Sequence, residues 1–433
     1  MRHRIIDYGL LLLLSLSIAL SAPRFHPVHV PNPTGEVDET NGVRVVYLRG
    51  RPYEMGLQQG FIFRNELRML IRNYLYERLI LQRGVAHVWL LSYARLVAQR
   101  VPRDLQEEMQ GIADGAGLSY QDVLLFNTIP DLLALSDRLP TWESFPLLFS
   151  AGQQNDTPWH SASCLAFGAW GRATLDNELV IGHSLDYPDK EALAPYLLVI
   201  VRQPSTGNAF VTVSLIGMVG AWTGMNEEKI TVALTPSPSA DATVTGHPLP
   251  FLLRRVLQSA GDLEEAINLI LASPRLTGGN VLLGDGKAPA AIALELSAYR
   301  HAIFEVEAER GLLARTDHFV HPELALLQQD TLSQQEQETS KARLSHMSAQ
   351  LEFNQGWIGV EKALTFLAGD SSATYSTTLD SETALNLVPP LQSVLLCPGK
   401  FTIWVASSQS ASPMSYVRLN LSHVLLEHGQ ALQ

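Results

Sequence analysis

The sequence is short of the residues that mark several common classes. Two cysteines, Cys164 and Cys397, stand in 433 residues, which excludes a multi-bridge disulfide framework and any Cys-x-x-Cys zinc site. The 13 histidines are scattered, with no His-x-x-x-His pair to clasp a metal from one helix face. His318 and His321 are close but too few to make a site. No metal and no cofactor is expected. Basic residues are also scarce, with 31 Lys and Arg against 43 Asp and Glu for a net charge of −12. That balance argues against nucleic-acid partners and anionic membrane surfaces. There is no phosphate-cradling glycine loop, since Gly284-Asp285-Gly286 reads as a turn, and no internal repeat. Beyond the N-terminus no apolar run reaches the roughly 20 residues of a spanning helix. Gly217 to Met225 is apolar but broken by glycines, and reads as buried sheet.

What is present is a chain able to bury a large core, 46% hydrophobic and 17% charged. Its start is basic (Arg2, His3, Arg4), then apolar from Tyr8 to Ala22, then small residues and Pro23. This layout predicts a secretory signal peptide over 1–22 and a secreted or extracytoplasmic protein, with an uncleaved membrane anchor as the other reading. The destination would be a periplasm, or a lysosomal or extracellular lumen. Sequons occur at Asn155 and Asn420.

Residues 23–41, rich in Pro, Asn and Thr, predict a flexible lead-in. Gly42 to Arg49 alternates like a strand. Residues 54–131 are mostly helical in pattern, with an amphipathic stretch over Leu105 to Ala116. Residues 137–162 lose all periodicity and predict a surface linker open to cleavage. From Cys164 onward, strands are expected at 164–170, 178–183, 196–202, 209–215, 230–234, 280–283, 290–296, 311–314, 393–396 and 401–406. Helices are expected near 249–259 and 262–272, with a helical, Gln/Glu-rich stretch over 331–368. Runs of strands beside runs of helices predict an α+β layered fold. The expected division is 42–163 as a mainly helical N-terminal part and 164–433 as a β-sandwich.

Cys164 opens a strand directly after the linker. A thiol nucleophile needs a base, and no papain-type local signature supplies one. A chain cut before Cys164 would provide its own, because a free α-amine titrates near 7.7–8.0. The plainer readings are a buried core residue or one half of a disulfide with Cys397. Asp186, at the end of Gly182-His183-Ser184-Leu185-Asp186, is placed to hold such an amine, or is a turn or salt-bridge residue. Asn280 offers a side-chain N–H to an oxyanion, or simply opens a strand. His183, Asn226 and His318 are candidates for substrate contact or support. A papain-like triad of Cys164, His318 and Asn280 is a second arrangement, and a non-catalytic binding protein a third.

In their order along the chain, these motifs resemble the C45-type peptidases, or acyl-coenzyme A:6-aminopenicillanic-acid acyltransferase-like proteins. Those are relatives of choloylglycine hydrolases and acid ceramidases in the N-terminal-nucleophile (Ntn) hydrolase superfamily. The resemblance runs from Arg49-Gly-Arg-Pro-Tyr-Glu-Met-Gly56 with Gly60, through Gly115-Ala-Gly-Leu-Ser119 and Asn127. It continues through Cys164 with Ala169-Trp170-Gly171, Gly182 to Asp186, Gly224-Met-Asn226, Gly279-Asn280, Asp285, Glu295 and Thr316-Asp-His-Phe319. It implies a four-layer αββα sandwich and self-cleavage between Ser163 and Cys164 into two chains that stay associated. It also implies Cys164 as nucleophile and base, Asp186 orienting the amine, Asn280 at the oxyanion, and a small-molecule linear amide as acyl donor. At the cut this chain has Ser163-Cys164-Leu165 where the family usually has a Gly-Cys-Thr-like triplet. His183 replaces the family's common Arg or Gln. A Gly-His-Asn-like version of that strand occurs in phospholipase B-like proteins, so lipid acyl groups, phospholipase B-like or acid-ceramidase-like, form a further reading.

Overall fold

A computed structural model describes residues 35–82, 87–133, 164–187, 189–307, 309–328, 332–369, 390–406 and 415–425. The sequence-predicted signal peptide, the linker and Ser163 lie outside the described residues.

Two sheets face each other. The larger has nine strands in the order β1 (Glu36–Thr40), β2 (Val43–Gly50), β5 (Leu197–Pro204), β6 (Phe210–Leu215), β7 (Thr223–Asn226), β8 (Ile230–Pro236), β9 (Gly279–Asp285), β10 (Ala290–Leu296) and β11 (His301–Glu305). The smaller has six, in the order β12 (Leu312–Thr316), β3 (Cys164–Gly171), β4 (Asn177–Leu185), β13 (Gln392–Cys397), β14 (Thr402–Ala406) and β15 (Tyr416–Asn420). All pairings among these strands are antiparallel except β2 with β5.

Side-chain alternation builds the layers. On β3 and β4, Ala166, Trp170, Leu179 and Ile181 point inward and meet Val199, Val211 and Leu282 of the other sheet. Their neighbours Leu165, Phe167 and Val180 point outward and pack on Met347, Leu351, Phe366 and Leu367 of helices Gln334–Phe353 and Val360–Gly369. The outer face of the large sheet (Val232, Val281, Leu294) is covered by helices Leu249–Ser259 and Leu263–Leu271. The result is the helix–sheet–sheet–helix sandwich expected from the sequence. Gly182 is needed because the Phe167 ring lies over it; a Cβ there would run into the ring.

One expectation changes. The lead-in ends in strand β1, an exposed acidic edge paired to β2. The mainly helical N-terminal part also adds β1 and β2 to the large sheet, and its helices Pro52–Ile62 and Arg103–Ala116 dock on it. Gly56, Gly60, Gly111 and Gly115 line the contact of those two helices, where an added Cβ would strike the other backbone. The glycines of the opening motif therefore serve close helix packing.

A buried ionic cluster ties this part to the rest. Glu108 accepts Arg202 Nε at 2.8 Å and Arg254 Nη2 at 3.0 Å, with all three side chains at 0–1% exposure. Arg202 also donates to Thr212 Oγ1 and Met218 O, and the Arg254 guanidinium lies 4.2 Å from the Phe210 ring centroid. Asn127 completes the tie, donating to Gly217 O and accepting Val219 N–H, while Gln59 accepts Gly217 N–H at 2.6 Å. The start of the glycine-spaced 217–225 segment, read as buried sheet, is thus gripped by the N-terminal helices.

Candidate active site

Cys164 is the first residue of β3, fully buried, and pairs with Leu185 of β4. It shares the inward face of Ala166, so its thiol points between the sheets. The main-chain nitrogen of Cys164 donates to both carboxylate oxygens of Asp317, at 3.0 and 2.9 Å. Arg343, 1% exposed, donates from Nη1 to Cys164 O at 3.2 Å and lies 3.7 Å from Asp317 Oδ2. Burial pushes the Cys164 thiol well above its usual value, and the negative charge of Asp317 adds to this. Arg343 pulls the other way, Asp186 adds its charge upward, and the Asp186 main-chain N–H directed at the sulfur lowers it. In the intact chain the thiol is therefore protonated.

The turn carrying Asp317 is pinned from several sides. Asn280 Nδ2 donates to Thr316 O at 2.6 Å, His318 O at 2.9 Å and Ser237 Oγ at 2.9 Å. Thr235 Oγ1 donates to Thr316 O. Gln328 accepts Phe319 N–H and donates to Asp317 O. Glu295 Oε2 accepts the N–H groups of Val320 and His321, while its other oxygen makes an ion pair with Arg315 Nε at 2.9 Å.

The sequence-predicted site residues have contacts of their own. The carboxylate on the Cys164 nitrogen is that of Asp317. Asp186 Oδ1 accepts Tyr187 N–H and its Oδ2 pairs with Lys190 at 3.1 Å, so Asp186 meets Cys164 through its N–H. The Asn280 N–H groups are spent on main-chain carbonyls and Ser237; its atom without a partner among the described residues is Oδ1, an acceptor unsuited to an oxyanion. His318 Nδ1 bonds Ser340 Oγ at 2.8 Å and Thr316 Oγ1 at 3.1 Å. Thr316 pairs with outward-facing Leu165, so this histidine serves the outer helical layer and no papain-like triad forms. Burial lowers its pKa to about 4. Asn226 caps the far end of the large sheet, donating to Leu257 O and Ala260 O and accepting Ile230 N–H. His183 is interior, its Nε2 3.0 Å from Leu234 O across the sheets, with its pKa pushed down to about 4 by burial.

Cys164 and Cys397 are both free and buried. Cys397 lies five steps along β13 from Gln392, the residue level with Leu185 and Cys164, or about 16 Å at 3.2–3.4 Å per residue. It also faces the outer layer. The suggested disulfide is geometrically impossible.

A narrow apolar pocket opens between the N-terminal helices and the sandwich. Phe126, Ile129, Leu193, Met218 and Trp222 make it apolar, and Leu185 and Gln392 form its wall on the Cys164 side. The row Cys164–Leu185–Gln392 crosses three adjacent strands on one face. Cys164 itself is one strand removed from the lining. Gln392 Nε2 and Ser214 Oγ have no partner among the described residues. Trp170 and Phe319 are buried in the core, away from this lining.

A family model described as acyl-coenzyme A:6-aminopenicillanic acid acyl-transferase matches residues 173–409. The chain belongs to this family. The acyl-transferase match covers Asp186, Asn280, Asp317 and Arg343 and begins nine residues after Cys164. An uncharacterised protein of Archaeoglobus fulgidus is 28% identical over 337 residues, 68% of this chain and 53% of that protein. Protein dcd1B of Dictyostelium discoideum is 25% identical over 296 residues, 62% and 53% of the two chains. The N-acylethanolamine-hydrolyzing acid amidase of Rattus norvegicus is 23% identical over 238 residues, 51% and 57%. The chain thus spans about half the length of these relatives. Among solved structures, a variant of conjugated bile acid hydrolase from Clostridium perfringens aligns at 13% identity with a TM-score of 0.41, over 60% of this chain and 93% of the other. The Caenorhabditis elegans ortholog of N-acylethanolamine-hydrolyzing acid amidase aligns at 15% and 0.39, over 55% and 93%. Asp317 stood in a motif noted from sequence, but without a role. Arg343 falls in the Gln/Glu-rich helical stretch and carries no sequence-predicted role. The available signal was its place on the stripe Ser340, Arg343, Met347, Leu351, the buried positions of its helix.

Proposed function

We propose that the protein is a self-processing thiol amidase or acyltransferase acting on linear amides. The carrying observation is the row Cys164–Leu185–Gln392, which sets an inward-facing thiol at a strand start, one strand from an apolar pocket. In maturation, Cys164 sulfur attacks the Ser163 carbonyl carbon and the peptide nitrogen leaves with a proton. Water then hydrolyses the thioester, freeing a Ser163 carboxylate and the Cys164 α-amine. In turnover that amine takes the thiol proton as sulfur attacks the substrate carbonyl, and returns it to the departing amine. Water or a second amine resolves the thioester.

The cavity lining favours an apolar, lipid-like acyl group, with Gln392 Nε2 as donor to the amide oxygen. The name of the rat relative, which hydrolyses N-acylethanolamines, fits such a donor. The β2–β5 pairing and the Glu108 cluster support continued association of the two chains after cutting. Export through the 1–22 segment belongs to the same reading. The test is to incubate purified protein with N-acyl amides of graded chain length. Release of amine by the wild type and none by Cys164→Ala is the expected result. Equal release by both would refute the assignment.

A further inference from the structure

We propose that Asp317, braced by Arg343, is the seat of the Cys164 nitrogen both before and after the chain is cut. This rests on the reading of Cys164 as a terminal nucleophile and base. The two carboxylate oxygens of Asp317 already bracket that nitrogen at 3.0 and 2.9 Å while it is still a peptide N–H. A neutral amide gives a carboxylate one hydrogen to share; an ammonium gives it three and a full charge. Cutting the Ser163–Cys164 bond therefore strengthens a contact that is already made, with no movement of either residue.

The surroundings hold Asp317 to this task. Its turn is fixed by Asn280, Thr235, Gln328 and Glu295. Arg343 offsets its buried charge and fastens the carbonyl of Cys164, so nitrogen and oxygen of the same residue are clamped by one ion pair. Asn280 becomes a positioning residue for Asp317. The charged groups around the nitrogen are Asp317 from the end of β12, Asp186 from the end of β4 with Lys190 on it, and Arg343 from its helix. The facing sheet offers Thr235 and Asn280, which carry no charge. The Cys164 thiol titrates beside them, and His183 lies on the same inward face of β4, two residues from Leu185, the strand partner of Cys164.

The signs follow from charge. Asp317 favours the ammonium and Arg343 disfavours it. Asp317→Asn keeps size and shape, and lowers the amine midpoint by about one pH unit or more. Arg343→Gln raises it. The readout is the Cα resonance of Cys164 in mature protein made with carbon-13 cysteine. Cys397 is the internal reference, because burial pushes its thiol up to about 12. The inference stands if the wild-type C-terminal chain begins at Cys164 and the midpoint falls more in Asp317→Asn than in Asp186→Asn. If that chain begins at Cys164 but Asp317→Asn leaves the midpoint in place, or Asp186→Asn moves it further, Asp317 is not the seat and the proposed function survives. If wild type keeps Ser163 and Cys164 joined, the functional reading itself fails, and this inference with it. Should Asp317→Asn not fold or not cut, Arg343→Gln decides: an upward shift supports the seat, and no shift overturns it.

Discussion

Single residues here carry opposite pH signatures. His183 and His318 are held near pKa 4 by burial, below the ordinary 6.5. An unfolded chain binds protons at these sites first as pH drops, so their contribution to stability is present above about 6.5 and drains away between 6.5 and 4. Asp131 runs the other way. Burial raises it to about 7, so its contribution is full at low pH and is lost as pH rises through 7. A difference measurement separates them: the thermal midpoint of His183→Gln should fall less steeply than that of wild type between pH 6.5 and 4. Parallel curves would mean that His183 is not buried neutral. Gln392→Leu should lower kcat/KM for an N-acyl amide about two- to tenfold, the worth of one neutral hydrogen bond, while self-cleavage is unchanged. Cys164 was legible because a strand opening on a thiol after an aperiodic stretch is a local pattern. Asp317 as its partner was not, because their contact spans 153 positions and depends on how β12 registers against β3.

At the scale of elements, most strands were readable from alternation, and those that escaped had physical reasons. β1 is five exposed residues of the acidic run Glu36-Val-Asp-Glu-Thr40, without an apolar face. β11 is an edge strand with a weak alternating pattern. β15 is five residues at the edge of the small sheet, with only Val417 and Leu419 buried, held by its pairing to β14. Helix Gln334–Phe353 was expected, but its buried side was obscured by the polar Ser340 and Arg343 among Met347 and Leu351. The Glu108 cluster gives the sharpest prediction for element packing. Glu108→Ala strands two fully buried guanidinium groups and should cost about 3–5 kcal/mol in denaturant unfolding. In cut protein it should also let the two chains separate on size exclusion. A loss under about 1 kcal/mol, the range of exposed pairs, would show the cluster to be solvated.

At the scale of the molecule, the sandwich and the family were legible in the order of motifs, whereas the sharing of one sheet by both parts of the chain was not. Sequence reads neighbours along the chain, and the parallel β2–β5 pairing joins distant residues, as in Val45 with Val199. One sheet is therefore shared by the segments on either side of Cys164, and the apolar cavity is walled by both. Cutting between them would free a nucleophile without taking the fold apart. The most direct measurement is the intact mass and N-terminal sequence of the purified protein. The expected result is a C-terminal chain beginning Cys164-Leu-Ala-Phe, co-purifying with an N-terminal chain that ends at Ser163. A single active chain with Ser163 and Cys164 still joined would contradict it.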